Sequence, residues 1–197
     1  ADGVLSTQLK KNGDLYSFEL ITEATGFWKA IIKGSIIERS TFAIENDQLK
    51  TYDYHLIDTI RKKSRESDAV FNWNNSIITG YYKDREINIA LEDKTLSRIV
   101  LQLQIMYNQE KQIVSNDYQV LDKDALKKVS IISEHLFTET SVPFGTFQTI
   151  KISHQSEDSE RLNSLWLAPE LNFIPIKISQ TINGKKSFEA NLTQLSF

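Results

Sequence analysis

The chain has 197 residues, 23 of them basic and 26 acidic, for a net charge of −3, with 40% hydrophobic and 25% charged residues. That balance describes ordinary globular material and argues against a basic face built for a phosphate backbone, so nucleic acid is not an expected partner. With no cysteine in the chain, disulfides, thiol nucleophiles and zinc–thiolate sites are excluded.

At this length one domain across 1–197 is the first expectation, since β-sandwiches and barrels of about 200 residues commonly form single units. The longest apolar run falls well short of the ~20 residues that span a bilayer as a helix, so no transmembrane segment is expected. Ala1 reads either as a mature terminus left after removal of a signal peptide or as an artificial scar.

Hairpin punctuation is regular from the start. Asn12-Gly13 separates Val4 to Lys11 from Asp14 to Ala24, and Asn-Gly between extended runs is a strong signal for a tight hairpin turn. Next comes Thr25 to Gly34, TGFWKAIIKG, where Phe27, Trp28, Ile31 and Ile32 cluster between glycines. A functional reading makes it a lip that touches lipid or gates a cavity, because a contiguous exposed apolar patch marks an interaction site. The competing reading, favoured by the general rule that apolar clusters are packing, is a helical turn capping a barrel with those side chains in the core.

Asn46-Asp47 joins Ile36 to Glu45 with Gln48 to Ile57. Asn74-Asn75 joins a strand ending at Trp73 with Ser76 to Tyr82, and Lys83-Asp84 returns the chain into Glu86 to Leu91. Then the period changes. Asp93 to Gln109 carries Leu96, Ile99, Val100, Leu103 and Tyr107 at helical spacing, with Asp93 or Thr95 as N-cap, which predicts a helix over about 94–108. Leu101, Ile105 and Met106 widen its apolar face to most of the circumference. Glu110 to Lys127 reads as a long polar connection, and Lys128 to Thr140 as a hairpin.

From Ser141 to Gln180 the pattern is strand, turn, strand, turn, strand. Gly145 opens the first strand, Ser156 to Ser159 reverse it, Trp166 ends the second, and Pro169 leads into Ile174 to Ile182. In that last strand Ile174, Ile176, Ile178 and Ile182 are expected on one face and Lys177, Ser179 and Thr181 on the other. Asn183-Gly184 then turns the chain into Ser187 to Phe197. The sum predicts a mainly β fold: an antiparallel meander forming a curved sheet or incomplete barrel around one long apolar helix.

Candidate chemistry is sparse. His55, His135 and His154 lack the i, i+2 or i, i+4 partners of a metal-binding strand or helix and read as solvent-facing strand positions. Glu157, Asp158 and Glu160 lack the ligand spacing and central glycine of a calcium loop and read as a solvated turn. Arg61-Lys62-Lys63 with Arg65 has the chemistry to meet anionic head groups, but a solvated strand entry is the commoner meaning of such a run. Trp73 and Trp166 each stand beside a turn, as lining for a ligand cavity or, in the slightly preferred reading, as core plugs. No nucleophile–base–acid grouping and no metal or cofactor motif is present, so a non-enzyme is expected.

The pieces ATGFWKAII, VFNWNNSIITG, LSRIVLQLQ, VPFGTFQTIKI and LWLAPELNFIPIKI, in this order and spacing, resemble the bacterial exported family catalogued as domain of unknown function 3108. Its most specific parts are Pro143-x-Gly-Thr-Phe and Trp166-Leu-Ala-Pro-x-Leu-x-x-x-Pro. The resemblance implies a periplasmic or cell-envelope protein, made with a signal peptide, whose activity is undefined. The strand–helix–strand order is also similar in kind to periplasmic lipoprotein carriers, at the level of fold alone. The functional expectation is therefore non-catalytic binding or carriage of an apolar or amphipathic molecule, with Phe27, Trp28, Ile31, Trp73 and Trp166 as candidate lining. The alternative is an interaction module with a fully packed barrel that docks onto an envelope protein partner.

Overall fold

The computed structural model describes residues 2–60 and 63–197, and within them the chain is mainly β, with fourteen strands and one 14-residue helix. The backbone gathers into two compact units, Ala1–Leu103 with Gln119–Leu126, and Gln104–Tyr118 with Lys127–Phe197.

In the first unit β1 (Gly3–Asn12), β2 (Leu15–Ala24), β3 (Ser35–Glu45), β4 (Gln48–Asp58), β5 (Arg65–Asn72), β6 (Ile77–Tyr82) and β7 (Arg85–Ala90) form one antiparallel sheet in strict sequence order. The turn chemistry explains the order. Gly13, Asn46, Asp47 and Lys83 all hold positive φ, the conformation that lets a two-residue turn match the twist of its strands. A short helix, α1 (Phe27–Ile31), interrupts the connection from β2 to β3.

One face of this sheet is the core of the unit. Phe18, Phe42, Leu49, Leu56, Ala69, Phe71, Ile78 and Ile87 are buried there, alternating with outward residues as a half-solvated antiparallel sheet requires. The outward face carries a cross-strand row in register: Glu19 pairs with Arg39, Arg39 with His55, and His55 with Asp68. Glu19 and Arg39 form an ion pair, and His55 Nδ1 bonds Asp68 Oδ2. Opposite charges set directly across strands support the register by a few tenths of a kcal/mol each, about 0.2–1.

After β7 the chain departs from the sequence reading. Thr95–Ser97 is a fully buried three-residue strand, β8, and the helix α2 begins only at Arg98 and runs to Lys111. Thr95 is no N-cap; its hydroxyl donates to the Glu92 carbonyl at 2.6 Å. β8 is held by contacts far away in sequence. The Ser97 amide donates to Thr51 Oγ1 at 3.2 Å, and Ser97 Oγ lies 2.9 Å from Ser40 Oγ. The polar connection expected over Glu110 to Lys127 contains a strand, β9 (Asp117–Asp122), which pairs in parallel with β8 through Thr95↔Gln119 to Ser97↔Leu121. β8, α2 and β9 are thus a compact crossover, the connection that parallel strands need.

Helix α2 buries Ile99, Val100, Leu101, Leu103 and Ile105, but also Gln104 and Asn108. At 100° per residue these span about 240° of its circumference, so burial is broad as expected, while part of the buried arc is polar. In the second unit Gln104 Nε2 donates to Asn108 Oδ1 at 2.8 Å, and Asn108 Nδ2 to the Tyr118 hydroxyl at 2.6 Å. The hydrogen bonds remove the penalty that burying two amides would otherwise carry.

The second unit continues the meander with β10 (Ala125–Val142), β11 (Gly145–Ser156), β12 (Arg161–Ala168), β13 (Ile174–Ile182) and β14 (Lys185–Asn191). β10 is one 18-residue strand rather than the hairpin expected over Lys128 to Thr140. Its pairing to β11 jumps from Ser133↔Ile152 to Phe137↔Ile150, so Glu134, His135 and Leu136 bulge opposite Lys151. That bulge hid the strand's period of two.

A second slip lies in β13. Trp166 pairs with Lys177 but Leu167 with Pro175, leaving Ile176 extra. The expected row of four isoleucines is therefore broken: Ile176 and Ser179 are buried, Ile178 is half-buried and Ile182 exposed. Between β12 and β13 a 3-10 turn, Pro169–Leu171, ends in Asn172 and Phe173, both at positive φ.

Candidate functional site

Helix α1 contradicts the packing reading of its sequence. None of its residues is buried, and Phe27, Trp28 and Ile31 are 74%, 37% and 56% exposed. Phe27 and Trp28 meet edge to face, with ring centroids 5.9 Å apart, so the two rings form one raised apolar feature.

The backbone explains how so short a helix is set there. Gly26 starts it at φ 56°, and Gly34 closes the loop at φ 118°, conformations that a residue with a Cβ rarely adopts. At Gly34 a Cβ would lie 2.6 Å from both the Thr59 carbonyl and its hydroxyl. That space belongs to a clasp: the Ser35 amide donates to Thr59 Oγ1 at 3.0 Å, and the Thr59 amide donates to the Ser35 carbonyl at 2.9 Å. The root of the α1 loop is thereby tied to the start of the β4–β5 connection, while five residues of helix stand clear.

Inside the same unit the sheet's inner face holds a polar centre that sequence reasoning missed. Glu38 on β3 is 2% exposed; it accepts from the Tyr54 hydroxyl at 2.6 Å and from Arg98 Nε at 3.0 Å. Burial first, and the neighbouring Glu38 second, push the Tyr54 hydroxyl well above the ordinary phenol range, so Tyr54 is a fixed donor at any physiological pH. Asp58 on β4 is wholly buried and receives Arg65 Nη2 at 2.9 Å, while the Arg65 Nε is buried without a hydrogen-bond partner. Alternation put Glu38 on the face of Ser40 and Phe42. Nothing local pointed to Arg98, sixty residues on.

Neither Trp73 nor Trp166 is a fully buried core plug. Trp73 is half-buried, donates Nε1 to the Thr51 carbonyl at 2.7 Å and carries Lys50 Nζ 5.1 Å from its ring. Trp166, in the other unit, stands between two lysines across strands, Lys151 at 5.5 Å and Lys177 at 4.9 Å from its ring. Those lysines pair outward with Glu134 and Glu189, giving a five-residue row of the kind seen on the first sheet. Of the five residues singled out, Phe27, Trp28 and Ile31 come together on α1, while Trp73 and Trp166 belong to different units.

Histidine placement is mixed. His55 is in the charged row already described, and His135 is exposed in the β10 bulge. His154 shares the inner face of β11 with Ile150 and Ile152; burial lowers it to about 4, so it is neutral at pH 7 and not the solvent-facing residue expected. Among the described residues no three metal-type ligands converge. Arg61 and Lys62 lie outside the described residues; Lys63 is exposed. At the opposite end of the first sheet from α1, Lys11, Leu15, Tyr16, Ile44, Glu45 and Tyr52 line a surface cleft of about 440 Å³. Glu45 there is held below the usual carboxylate range by hydrogen bonds from Lys50 and then Tyr52, so its bonding capacity is largely taken within the chain.

The overall fold is one that another chain shares. The crystal structure of a β-barrel-like protein of domain of unknown function DUF1849 from Brucella abortus matches with a TM-score of 0.51 at 10% identity, over 96% of this chain and 88% of that one. At that identity the likeness speaks to fold alone. Residues 1–191 match the family described as protein of unknown function DUF3108, and the chain belongs to that family. No curated protein matches. No helix among the described residues is long and apolar enough to cross a membrane.

Proposed function

We propose that this is a periplasmic protein of the cell envelope that binds and carries an apolar or amphipathic molecule without chemical turnover. The observation that carries the reading is α1: three large apolar side chains held in solvent on a helix bounded by two positive-φ glycines. Folded chains rarely leave such a cluster uncovered unless something is to cover it. In this reading the sheet of the first unit curves as an incomplete barrel around the start of α2, α1 forms the mouth, and the Glu38–Tyr54–Arg98 centre is the polar group that fixes a head. Affinity would come from hydrocarbon burial, ~0.8 kcal/mol per methylene.

The test is uptake of a fluorescent fatty-acid probe. The Phe27→Ser/Trp28→Ser variant is expected to weaken uptake about tenfold or more, since each ring contributes well over 1 kcal/mol of contact, with an unchanged melting temperature. A parent protein that takes up no probe would overturn the carrier reading. A second reading, an interaction module packed with its own side chains, is favoured by one observation: Leu96, Val100, Leu101 and Ile105 are between 0% and 2% exposed, leaving no surface on these residues for a ligand.

A further inference from the structure

We infer that β1, the open edge of the first sheet, is the interface of a two-fold symmetric dimer, pairing antiparallel with β1 of a second copy about an axis at Thr7. The inference is independent of carriage, because a chain can dimerise whether or not it holds a ligand.

The backbone leaves this edge open in a defined way. β1 stands at the end of its sheet and pairs with β2 in an unbroken register from Gly3↔Ala24 to Asn12↔Leu15. The Thr25 amide donates to the Asp2 carbonyl at 3.0 Å. By antiparallel alternation Val4, Ser6, Gln8 and Lys10 also turn their N–H and C=O groups toward β2, and Gly3, Leu5, Thr7, Leu9 and Lys11 turn theirs to the open side. The side chains are uncovered as well. Every β1 residue is exposed except the half-buried Leu5, and Val4 and Leu9 are 50% and 53% exposed.

Other edges of the two sheets are blunted, and this one is not. β7 has six residues and opens on Arg85-Glu86, while β14 carries Lys185, Lys186 and Glu189 and slips in register against β13. Short length, charge and bulges are the devices that keep an edge from pairing. β1 has ten residues, no proline, no slip and no charge before Lys10.

Self-complementarity selects a second copy as the occupant. An isologous contact sets one patch against itself, so its residues must match about the axis. With Thr7 facing the partner's Thr7, Leu5 faces the partner's Leu9 and Gly3 the partner's Lys11. Every open-side N–H and C=O then has a mate, in about ten hydrogen bonds, two for each facing pair, which is the number an ordinary specific interface holds. Leu5 and Leu9 lie on the inner face, where Leu9 pairs with the buried Phe18, so leucine meets leucine on both sides of the axis. On the outer face Lys10 faces the partner's Val4 and extends toward the partner's Glu23, which pairs with Val4 within its own sheet. No like charges face each other. Sliding either strand by two residues sets Thr7 against a leucine and gives up a facing pair, so the register centred on Thr7 is the favoured one.

The test uses the full chain in sedimentation equilibrium across a range of concentrations, where a monomer–dimer equilibrium is expected. Thr7→Pro removes an amide that the chain does not use internally, and proline is tolerated at such an edge position. Loss of both hydrogen bonds at the axis should raise the dissociation constant at least about tenfold, while the melting temperature at a dilution where both proteins are monomeric stays close to the parent value. A second measurement does not depend on that variant. The chain has no cysteine, so Thr7→Cys should be joined into a covalent dimer by a short bismaleimide, whereas Asn12→Cys, about 34 Å from its own copy along an antiparallel ladder centred on Thr7, should not. Cross-linking at both positions alike or at neither, a parent that stays monomeric up to about 1 mM, or a folded Thr7→Pro variant that dimerises like the parent would overturn the inference. So would a dimer abolished by Phe27→Ser/Trp28→Ser, which would place the interface on α1.

Discussion

Replacing Arg98 by methionine should harm this protein more than replacing Glu38 by glutamine, although the two side chains form one ion pair. Glu38 is 2% exposed, whereas 46% of the Arg98 side chain reaches solvent. In Arg98→Met the carboxylate keeps only the Tyr54 hydroxyl at 2.6 Å and remains out of water. Removing one partner of a buried pair costs about 3–5 kcal/mol, and the surviving hydrogen bond sets the loss near the lower end, about 3 kcal/mol. In Glu38→Gln the amide still accepts from Tyr54, and the guanidinium turns to water, so the loss is that of a half-exposed pair, about 1 kcal/mol. In urea, with a slope of about 1–3 kcal/mol per molar, the two variants should differ in midpoint by roughly 1 M. Because the two changes remove one shared interaction, the double variant should lose less than the sum of the singles. Unfolding followed by circular dichroism gives the answer. Equal losses, or a larger loss for Glu38→Gln, would refute the claim that Glu38 is the trapped charge and Arg98 the free one.

Two further outcomes follow from the interior. Ile99→Ala and Leu103→Ala, at positions 5% and 8% exposed, should each cost ~2–5 kcal/mol in a denaturant melt if α2 is packed by protein; a loss far below that range at both would mean the helix faces a space filled by ligand or water. His154, lowered to about 4 by burial, is neutral when folded but takes up a proton when unfolded below about 6.5. Stability should therefore fall as pH is lowered from about 6.5 to about 4, by up to ~3 kcal/mol, and His154→Gln should flatten that slope in melts across the range; an unchanged slope would place its source elsewhere.

The hairpins were legible because a turn is a local event. Asn46-Asp47 and Asn183-Gly184 announce positive φ by residue type and hold it where expected; Gly13 does so too, although the turn there is Gly13-Asp14, one residue past the expected Asn12-Gly13, and Lys83 takes positive φ without its residue type announcing it. What the sequence concealed depends on distant partners. Thr95-Leu96-Ser97 continues the apolar spacing of the helix it precedes, and only the bonds from Ser97 to Thr51 and Ser40, together with parallel pairing to Gln119–Leu121, make it a strand. The bulges at Glu134–Leu136 and Ile176 each shift the alternation, so a period count carried through them assigns the following residues to the wrong face.

The candidate site shows the same division. That Phe27, Trp28 and Ile31 share one short segment is plain in TGFWKAIIKG, but their exposure is set by the Ser35–Thr59 clasp, whose partners are 24 residues apart. Trp73 and Trp166 stand out by size and by nearby turns; both are half-buried, with lysines from adjacent strands over their rings, Lys50 for one and Lys151 and Lys177 for the other. Glu38 and Arg98 could be paired only after the chain was folded.

The most direct measurement of the central claim is mass spectrometry of the organic extract from protein isolated under native conditions, compared with extract from the Phe27→Ser/Trp28→Ser variant prepared alongside. Carriage of an apolar or amphipathic molecule predicts a lipid-class species at close to stoichiometric amount in the parent, and less of it in the variant. An extract empty of any such species in both preparations, from protein that is folded and intact, would contradict the account.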